Sequence, residues 1–600
     1  MQNAEAVLDV LRERGRRGLP CTELYRQLFN PNLYLLAYGR IYANQGAMTP
    51  GACGETADGM SEAKIGRIIE AMRHERYRFS PVRRVLIPKS NGKTRPLGLP
   101  SWSDKLTGEV IRLLLEAYYE PRFSGRSHGF RPGRGCHTAL SEVTHNWTGT
   151  TWFIEGDISD CFGSLDHEIV VAILSEKIHD NRFLRLIKQM LKAGYLEDWR
   201  WHATLSGAPQ GGVLSPLLSN IYMDRLDTFV ETVLIPEYTR GKTRRRNPAY
   251  QRLENAIWNE RAKLARRKEP TESPQVRAWR KQLRRFPVGD PHDPGYRRLR
   301  YIRYADDHLL GFTGSKAEAE TIKQRLAEFL RDDLKLELNQ DKTLITHGRT
   351  QAARFLGYDI TVQHADMKVS RGGRINRGLR SINGKISLRV PKDVIKAKCT
   401  PFLKRGKPTH LDPLTGCTPF DIISLYGAQY RGIVQYYLLA GDIWKLDRLK
   451  GVMLTSMLKT LAAKHRSRVT TMAKRYKTTV RTPQGPRRCF EARAERASRK
   501  PLIARFGGIP LTRKRAAVLD DLPTTMFTPR SRPRGSQLID RLRKGWCELC
   551  DRRTDVQVHQ IRHLADLRGR GEQPAWAQLM LKKRRRTLVV CPPCHGSIHA

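Results

Sequence analysis

The run Tyr301-Ile302-Arg303-Tyr304-Ala305-Asp306-Asp307-His308-Leu309-Leu310-Gly311-Phe312 sets two adjacent carboxylates between short apolar segments rich in β-forming residues. The pattern predicts a tight hairpin whose turn presents Asp306 and Asp307 together. Two such acids repel each other unless cations lie between them, so the pair asks for metal. Two hard divalent ions about 4 Å apart can clamp the attacking and leaving oxygens of a phosphoryl transfer. An isolated Asp-Asp turn is more often a solvated one, so catalysis needs a third carboxylate. The segment from Thr151 to Phe162 supplies it. It is apolar, then acidic, and an aspartate at the end of a buried strand is costly unless it binds something. Asp157 is therefore the expected partner of Asp306 and Asp307. Phe162 could pack where an incoming sugar lies, although a core aromatic is the commoner outcome for such a residue.

Other groups stand ready to complete a nucleotide site. Val82 to Lys89, the Asn91-Gly92 turn and Thr94 to Pro100 read as a β-hairpin, with Lys89 and Arg95 flanking the turn. The two cations either converge on a triphosphate or remain solvated surface charges. Ser127 to Gly135 is a basic loop punctuated by glycines, able to bring backbone close to a template. Ala208 to Tyr222 is a loop entering an amphipathic helix, where Gln210 offers donors to a nucleotide. Helices are expected at Ser61–Tyr77, capped by Ser61, and at Asp104–Tyr119, from about Asp166, and at Ser315–Leu334. Strand-like pieces follow at Leu336–Leu338 and Lys342–Ile345, then an apolar turn at Phe355–Tyr358. Asp421–Leu439 and Ile443–Leu461 carry apolar residues at helical spacing. Their Tyr426, Tyr430, Tyr436 and Tyr437, interleaved with Arg431, are more often core than base-stacking platforms.

A chain of 600 residues is too long for one core, so several domains are expected. Its 108 Lys+Arg against 59 Asp+Glu give a formal charge of +49, which a polyanion such as nucleic acid would neutralise. Binding of that kind weakens steeply with salt. No apolar run approaches the roughly 20 residues of a spanning helix, and neither an amphipathic anchor nor a lipidation signal is present. Met1 to Pro20 is charged and helix-like, without a signal-peptide core. Seven of the eleven cysteines stand singly, as in a reducing compartment. These features point to an intracellular protein. The other four, Cys547, Cys550, Cys591 and Cys594, form two C-x-x-C pairs that predict a structural zinc site. Around them lie His559, His595 and His599, the last two one helical turn apart and able to face one ion; a purely structural zinc knuckle is the plainer reading. Residues 240–300 turn abruptly rich in Arg and Lys, with Trp258 and Trp279, and read as an insertion meeting RNA or as a solvated charged loop. Residues 464–540 are basic and weakly periodic, suited to a linker or a small DNA-contacting module.

The order of these motifs resembles the reverse transcriptase–maturases encoded within group II introns, over nearly the whole length. Six blocks carry the resemblance: Arg95-Pro96-Leu97-Gly98, Gly129-Phe130-Arg131-Pro132-Gly133, the Asp157 strand, Pro209-Gln210-Gly211, Tyr304-Ala305-Asp306-Asp307 and Phe355-Leu356-Gly357. It implies an α+β right-hand polymerase with fingers and palm, an α-helical thumb or maturase domain, and a small zinc-bound ββα-metal domain of the HNH type. The implied division is an N-terminal extension at 1–60, fingers and palm at 61–390, thumb or X domain at 391–480, a DNA-binding linker or D domain at 481–540 and the endonuclease at 541–600. By resemblance Asp157 and Asp306 are the main Mg2+ ligands with Asp307 in support. Lys89, Arg95, Phe162, Gln210 and Lys342 match nucleotide contacts, Phe162 at the position that screens the sugar 2′ group. His559, His595 and His599 match the endonuclease's ion-binding positions, for which Mg2+ is again the expected ion.

One departure stands out. Many relatives carry two adjacent histidines where this chain has His559-Gln560, and a neutral amide cannot remove a proton. No asparagine stands shortly before Cys591, where Arg586 and Thr587 occur, and His563 could substitute for the missing histidine. The implied function is RNA-directed DNA synthesis primed from cleaved target DNA, with dNTPs as substrates, together with folding of the intron RNA for splicing in a ribonucleoprotein. A bacterial cytoplasm or nucleoid is the expected setting, an organelle the other. A splicing cofactor that no longer polymerises and a viral-type RNA polymerase are the rivals. Intact acids at all three positions speak against the first, Ala305 and the nuclease-like tail against the second.

Overall fold

The computed structural model describes residues 3–88, 92, 94–197, 200–202, 204, 206–207, 212–339, 341–365, 382–496, 499–515, 536–567 and 573–600. Helices and strands alternate through them in an α+β arrangement. The chain opens on α1 (Ala4–Arg16) and α2 (Pro31–Ile41), whose first-turn amides are met by the side chains of Asn3 and Asn30. A short strand, β1 (Met60–Ser61), enters α3 (Glu62–Arg73), and Ser61 Oγ accepts from the Lys64 amide as its position predicts. The hairpin of β2 (Val82–Pro88) and β3 (Thr94–Leu99) follows, with Ile87 opposite Arg95. Next come α4 (Trp102–Tyr119), α5 (Cys136–Asn146), β4 (Trp152–Gly156) and α6 (His167–Ser175), the last capped by Asp166. Strands β5 (Tyr195–Glu197) and β6 (Arg200–His202) then widen the hairpin to a sheet of order β3-β2-β5-β6.

Helix α7 (Ser215–Phe229) precedes the charged insertion, which the structure folds into α8 (Pro248–Arg266) and α9 (Pro274–Leu283). Ile257, Leu264 and Val276 make its own small core. That stripe is one residue wide, which is why composition alone suggests a loop. Two strands, β7 (Arg298–Tyr304) and β8 (Asp307–Thr313), form the predicted hairpin, and α10 (Lys316–Asp332) is started by a Ser315–Glu318 capping box. With β9 (Ile345–His347) they complete a central antiparallel sheet of order β7-β8-β4-β9. Successive strand residues face opposite sides, so this sheet divides two cores. Ile154, Tyr301, Leu310 and Phe312 pack with the N-terminal helices, while Phe153, Ile302 and Leu309 pack with the later part of the chain.

That later part begins with a sheet of β10 (Ala353–Phe355), β11 (Tyr358–Val362) and β12 (Ile386–Arg389). Helices α11 (Pro419–Tyr436) and α12 (Asp447–Lys464) follow. Tyr426 and Tyr430 are buried in this core, and the Tyr436 and Tyr437 hydroxyls donate to the Leu356 and Gly357 carbonyls at 2.8 and 3.0 Å, holding the apolar turn to α11. Where 464–540 reads as weakly periodic, the structure shows a three-stranded antiparallel sheet, β13 (Lys477–Thr482), β14 (Gly485–Arg496) and β15 (Arg499–Gly507). Its Ala492, Ala504 and Phe506 join the α11 core. Small residues and arginines fill the strands, so only a sparse apolar face betrays them.

The tail comprises α13 (Ser536–Arg543), β16 (Gln557–Gln560), α14 (Ala575–Lys583), β17 (Thr587–Val590) and α15 (Pro592–His599). It does not stand apart: β1 pairs with β16, Met60 opposite Val558, in a sheet of order β1-β16-β17. Leu538, Leu542, Val556, Val558 and Val589 are buried in the core that the N-terminal helices build. Each such side chain stabilises the docking by about 1.5–3 kcal/mol.

Candidate active site and metal centres

The strand register brings the three acids together. Gly156 lies opposite His308 and Tyr304 opposite Asp307, so Asp157, one residue past β4, meets the turn that joins β7 to β8. Ala305 takes a left-handed φ of 56° there, at the turn position that usually falls to glycine. Burial pushes the Asp307 carboxyl up to about 7, with the Asp306 and Asp157 charges adding to it. Burial likewise raises Asp306, helped by Asp157 and opposed by Lys342. Lys342 Nζ donates to Asp157 Oδ2 at 2.8 Å, and that bond holds the ammonium above its ordinary pKa. Asn339 Nδ2 donates to the same oxygen at 3.3 Å. Half-buried carboxylates crowded together in this way are the donor set a divalent cation relieves.

What holds the turn is a buried network that the motifs alone do not announce. Arg303, fully buried, reaches Asp227 of α7 through Nε and Nη2 at 2.8 and 2.6 Å. Its Nη1 donates to the Ala305 carbonyl at 2.9 Å and to Asn220 Oδ1 at 3.1 Å, and the Tyr301 hydroxyl donates to Asp227 at 2.7 Å. Four bonds from the guanidinium plane, three to α7 and one to the turn carbonyl, thus lock the turn against α7. The glycine-punctuated loop closes on the same turn: Asn220 Nδ2 donates to the Gly129 carbonyl at 2.9 Å, and a Cβ on Gly129 would overlap the Ala305 nitrogen. A Cβ on Gly156 would likewise overlap the His308 ring, which is buried beneath the turn and held neutral by that burial, its pKa near 4. The close approach that Gly129 permits is therefore to the acidic turn. Arg131 of the same loop is buried and spent internally, on Glu120 and the Ser124 and Ser127 carbonyls. An arginine beside two strand aspartates was the signal available, but its partner Asp227 lies 76 residues away.

Of the nucleotide candidates, Phe162 is half-buried, its ring 6.2 Å from Phe130 and edge-on to it, rather than in the core. Arg95 is exposed on β3. Lys89 and Gln210 lie outside the described residues.

In the tail the four cysteine sulfurs lie within 4.8 Å of one another. Cys591 caps α15 and Cys594 sits in its first turn, while Cys547 and Cys550 come from the turn after α13. Burial raises the Cys547 thiol, but amides of Cys550, Cys591 and Leu549 outweigh it and hold the group at about 7. Four thiols of this spacing and depth suit a tetrahedral zinc ion. A second set within the same 4.8 Å limit is His559, His595, His599 and, unforeseen, Asp58 from the N-terminal segment. Among the described residues these are the two sets so closely drawn; the strand acids are held wider, with Lys342 on Asp157. Gln560 is buried with its Nε2 donating to the Tyr42 carbonyl at 2.8 Å, and His563 is exposed in a turn. Strand alternation explains the first: Val558 and Gln560 face the N-terminal segment, and His559 faces α15.

Acids converging at the ends of antiparallel strands, with a thiol and histidine tail, define a nucleic-acid polymerase joined to a small metal-binding module. Comparison with known proteins makes the class specific. Residues 87–239 match the reverse transcriptase (RNA-dependent DNA polymerase) family, 385–513 the type II intron maturase and 547–595 the AI2M/AI1M-like HNH endonuclease. The group II intron-encoded protein LtrA of Lactococcus lactis subsp. cremoris is 36% identical over 612 residues, covering 100% of this chain and 99% of that protein. An uncharacterized 91 kDa protein in a cob intron of Schizosaccharomyces pombe is 32% identical over 584 residues, 96% of this chain and 70% of that one. Protein YkfC of Escherichia coli is 33% identical over 339 residues, 55% of this chain and 81% of its own. The chain belongs to the group II intron-encoded reverse transcriptase–maturases that carry an HNH tail: it is an RNA-directed DNA polymerase and intron maturase.

Proposed function

We propose that Asp157 and Asp306, supported by Asp307, hold two Mg2+ ions and that the chain copies its intron RNA into DNA from the 3′ end of a cleaved target strand. The observation that carries this reading is the strand register that sets Asp157 beside the Asp306-Asp307 turn, where burial and the Asp157 charge raise both turn carboxyls and Asp306 further raises Asp307, an effect a bound cation reverses. Ions bound there supply Lewis-acid stabilisation of the attacking hydroxyl and the leaving pyrophosphate. The chain's own residues position: Arg303 and Asn220 fix the turn, and Lys342 holds Asp157 in place. Lys89, Arg95, Gln210 and Lys342 contact the incoming dNTP, and Phe162 beside Phe130 screens its sugar.

In this reading 1–60 is an N-terminal extension, 61–390 holds fingers and palm, 391–480 the thumb, 481–540 the DNA-binding part and 541–600 the endonuclease. The thumb and the insertion grip intron RNA, where Trp258, 71% exposed on α8, offers a stacking face beside arginines. Zn2+ occupies the four-cysteine site. The histidine cluster serves cleavage of a target strand, with Gln560 engaged in docking rather than proton transfer. No helix among the described residues is long and apolar enough to cross a membrane; in this reading the chain works in a ribonucleoprotein, in a bacterial cytoplasm or an organelle.

Purified protein should extend a DNA primer on an RNA template with Mg2+, and Asp306→Ala should abolish it. Splicing of a reporter intron without primer extension by the wild type would instead favour the maturase that no longer polymerises. Target-strand nicking that disappears with His595→Ala while the tail stays folded supports the nuclease; unfolding of the tail supports a structural role.

A further inference from the structure

The seam between the N-terminal segment and the tail contains four side chains that polymerisation does not use. The rings of His559, His595 and His599 stand 4.7 to 5.5 Å apart, on β16 and on one face of α15. Asp58, in the loop before β1, sends its carboxylate among them. One oxygen lies 2.9 Å from His599 Nε2 and 3.3 Å from His595 Nε2; the other lies 3.3 Å from His559 Nδ1. His559 is 3% exposed, yet neither of its ring nitrogens has a hydrogen-bond partner, Nδ1 being near Asp58 but misaligned. An imidazole buried with both nitrogens unmet is costly, and a metal ion is the group that would satisfy it.

We propose that Asp58 completes a transition-metal site with His559, His595 and His599, so that one ion fastens the N-terminal segment to the tail. The inference deepens the reading of the tail as an ion-binding module by making its site the property of two segments. Three imidazoles with one carboxylate select a borderline ion such as Zn2+ over Mg2+, which prefers oxygen donors.

Asp58 is delivered by backbone. Gly59 N donates to the Val558 carbonyl at 2.9 Å, and Gln560 N donates to Asp58 Oδ1 at 2.7 Å. Gln560, through Tyr42, then works as a docking residue, joined at the rim by Arg562 with Thr49, Arg586 with the Ala43 carbonyl and Arg543 with Asn32. Ion binding and docking are reciprocally coupled: whatever the ion gains from Asp58, the seam gains from the ion.

The full chain, stripped by a chelator and re-supplied with Zn2+, tests this. Bound zinc and its affinity are read by competition with a chromophoric chelator, and exchange of the Gly59 and Gln560 amides is followed with and without Zn2+. Asp58→Asn keeps an acceptor for the Gln560 amide but loses the charge. We expect it to weaken the site by roughly 100-fold while the cysteine-held zinc stays, and Zn2+ to slow those amides in the wild type alone. An Asp58→Asn protein that binds zinc as tightly as the wild type overturns the proposal, leaving Asp58 a docking acid. If His595→Ala and His599→Ala lose the ion in that case, the tail still binds metal; if they too bind unchanged, the ion-binding reading of the tail falls with it.

Discussion

The acidic turn and the histidine cluster are both built around aspartates, and the electrostatics run in opposite directions. At the turn, carboxylates crowd one another behind a single lysine, and burial with like charge takes Asp307 to about 7. At the seam, burial is outweighed by imidazoles and an amide, and Asp58 sits near 2. The first site is short of positive charge and waits for ions. The second gathers three imidazoles around one carboxylate, and can hold an ion as a fastening. Construction differs as well. The acids belong to one sheet, whereas Asp58 and His595 lie 537 residues apart. A catalytic site set by strand register is robust to how domains pack; one set at a seam exists only when they do.

The contrast can be broken, or sharpened, by a graded series. Asp306→Ala should lower primer extension by at least about 10³-fold, some 4 kcal/mol of lost transition-state stabilisation, and leave zinc content untouched; retained extension would dissolve the polymerase half. Arg303→Met strands the buried Asp227 and should cost about 3–5 kcal/mol in denaturant unfolding, while the double variant with Asp227→Leu should recover much of that. If the single and double variants are equally unstable, the pair does not hold the turn. Cys594→Ser should release zinc and expose the amides of β16 and β17 to exchange, with primer extension persisting; simultaneous collapse of extension would mean that the two regions are one cooperative unit.

The smallest effect is a pH slope. Asp307 in the ion-free protein holds its proton to about 7, against 3.8 for an ordinary aspartate. Folded protein then binds more protons than unfolded between those values, so the stability due to this group is full below about pH 4 and lost as pH rises through about 7. Melting in chelator should fall across that window, flatten in Asp307→Asn, and recover with Mg2+. The depressed Asp58 works the other way: its contribution is present above about pH 4 and lost as pH falls toward 2.

Much of the polymerase half was legible because its signals are local. Period-two alternation around Asp306-Asp307 and the apolar run before Asp157 specify strands, and a strand fixes which residue stands at its end. The C-x-x-C pairs are legible for the same reason, since three-residue spacing is itself the ligand geometry. The helical insertion and the sheet at 477–507 were not, because an apolar stripe one residue wide is masked by arginine. Sequence by itself determined the acids, the thiols, the three histidines and the family. Tertiary structure alone decided that Arg303 meets Asp227, that Gly129 closes on Ala305, and that Asp58 joins the histidines. Each of those pairings depends on long-range packing, where charge and shape are matched across segments whose separation leaves no period to read.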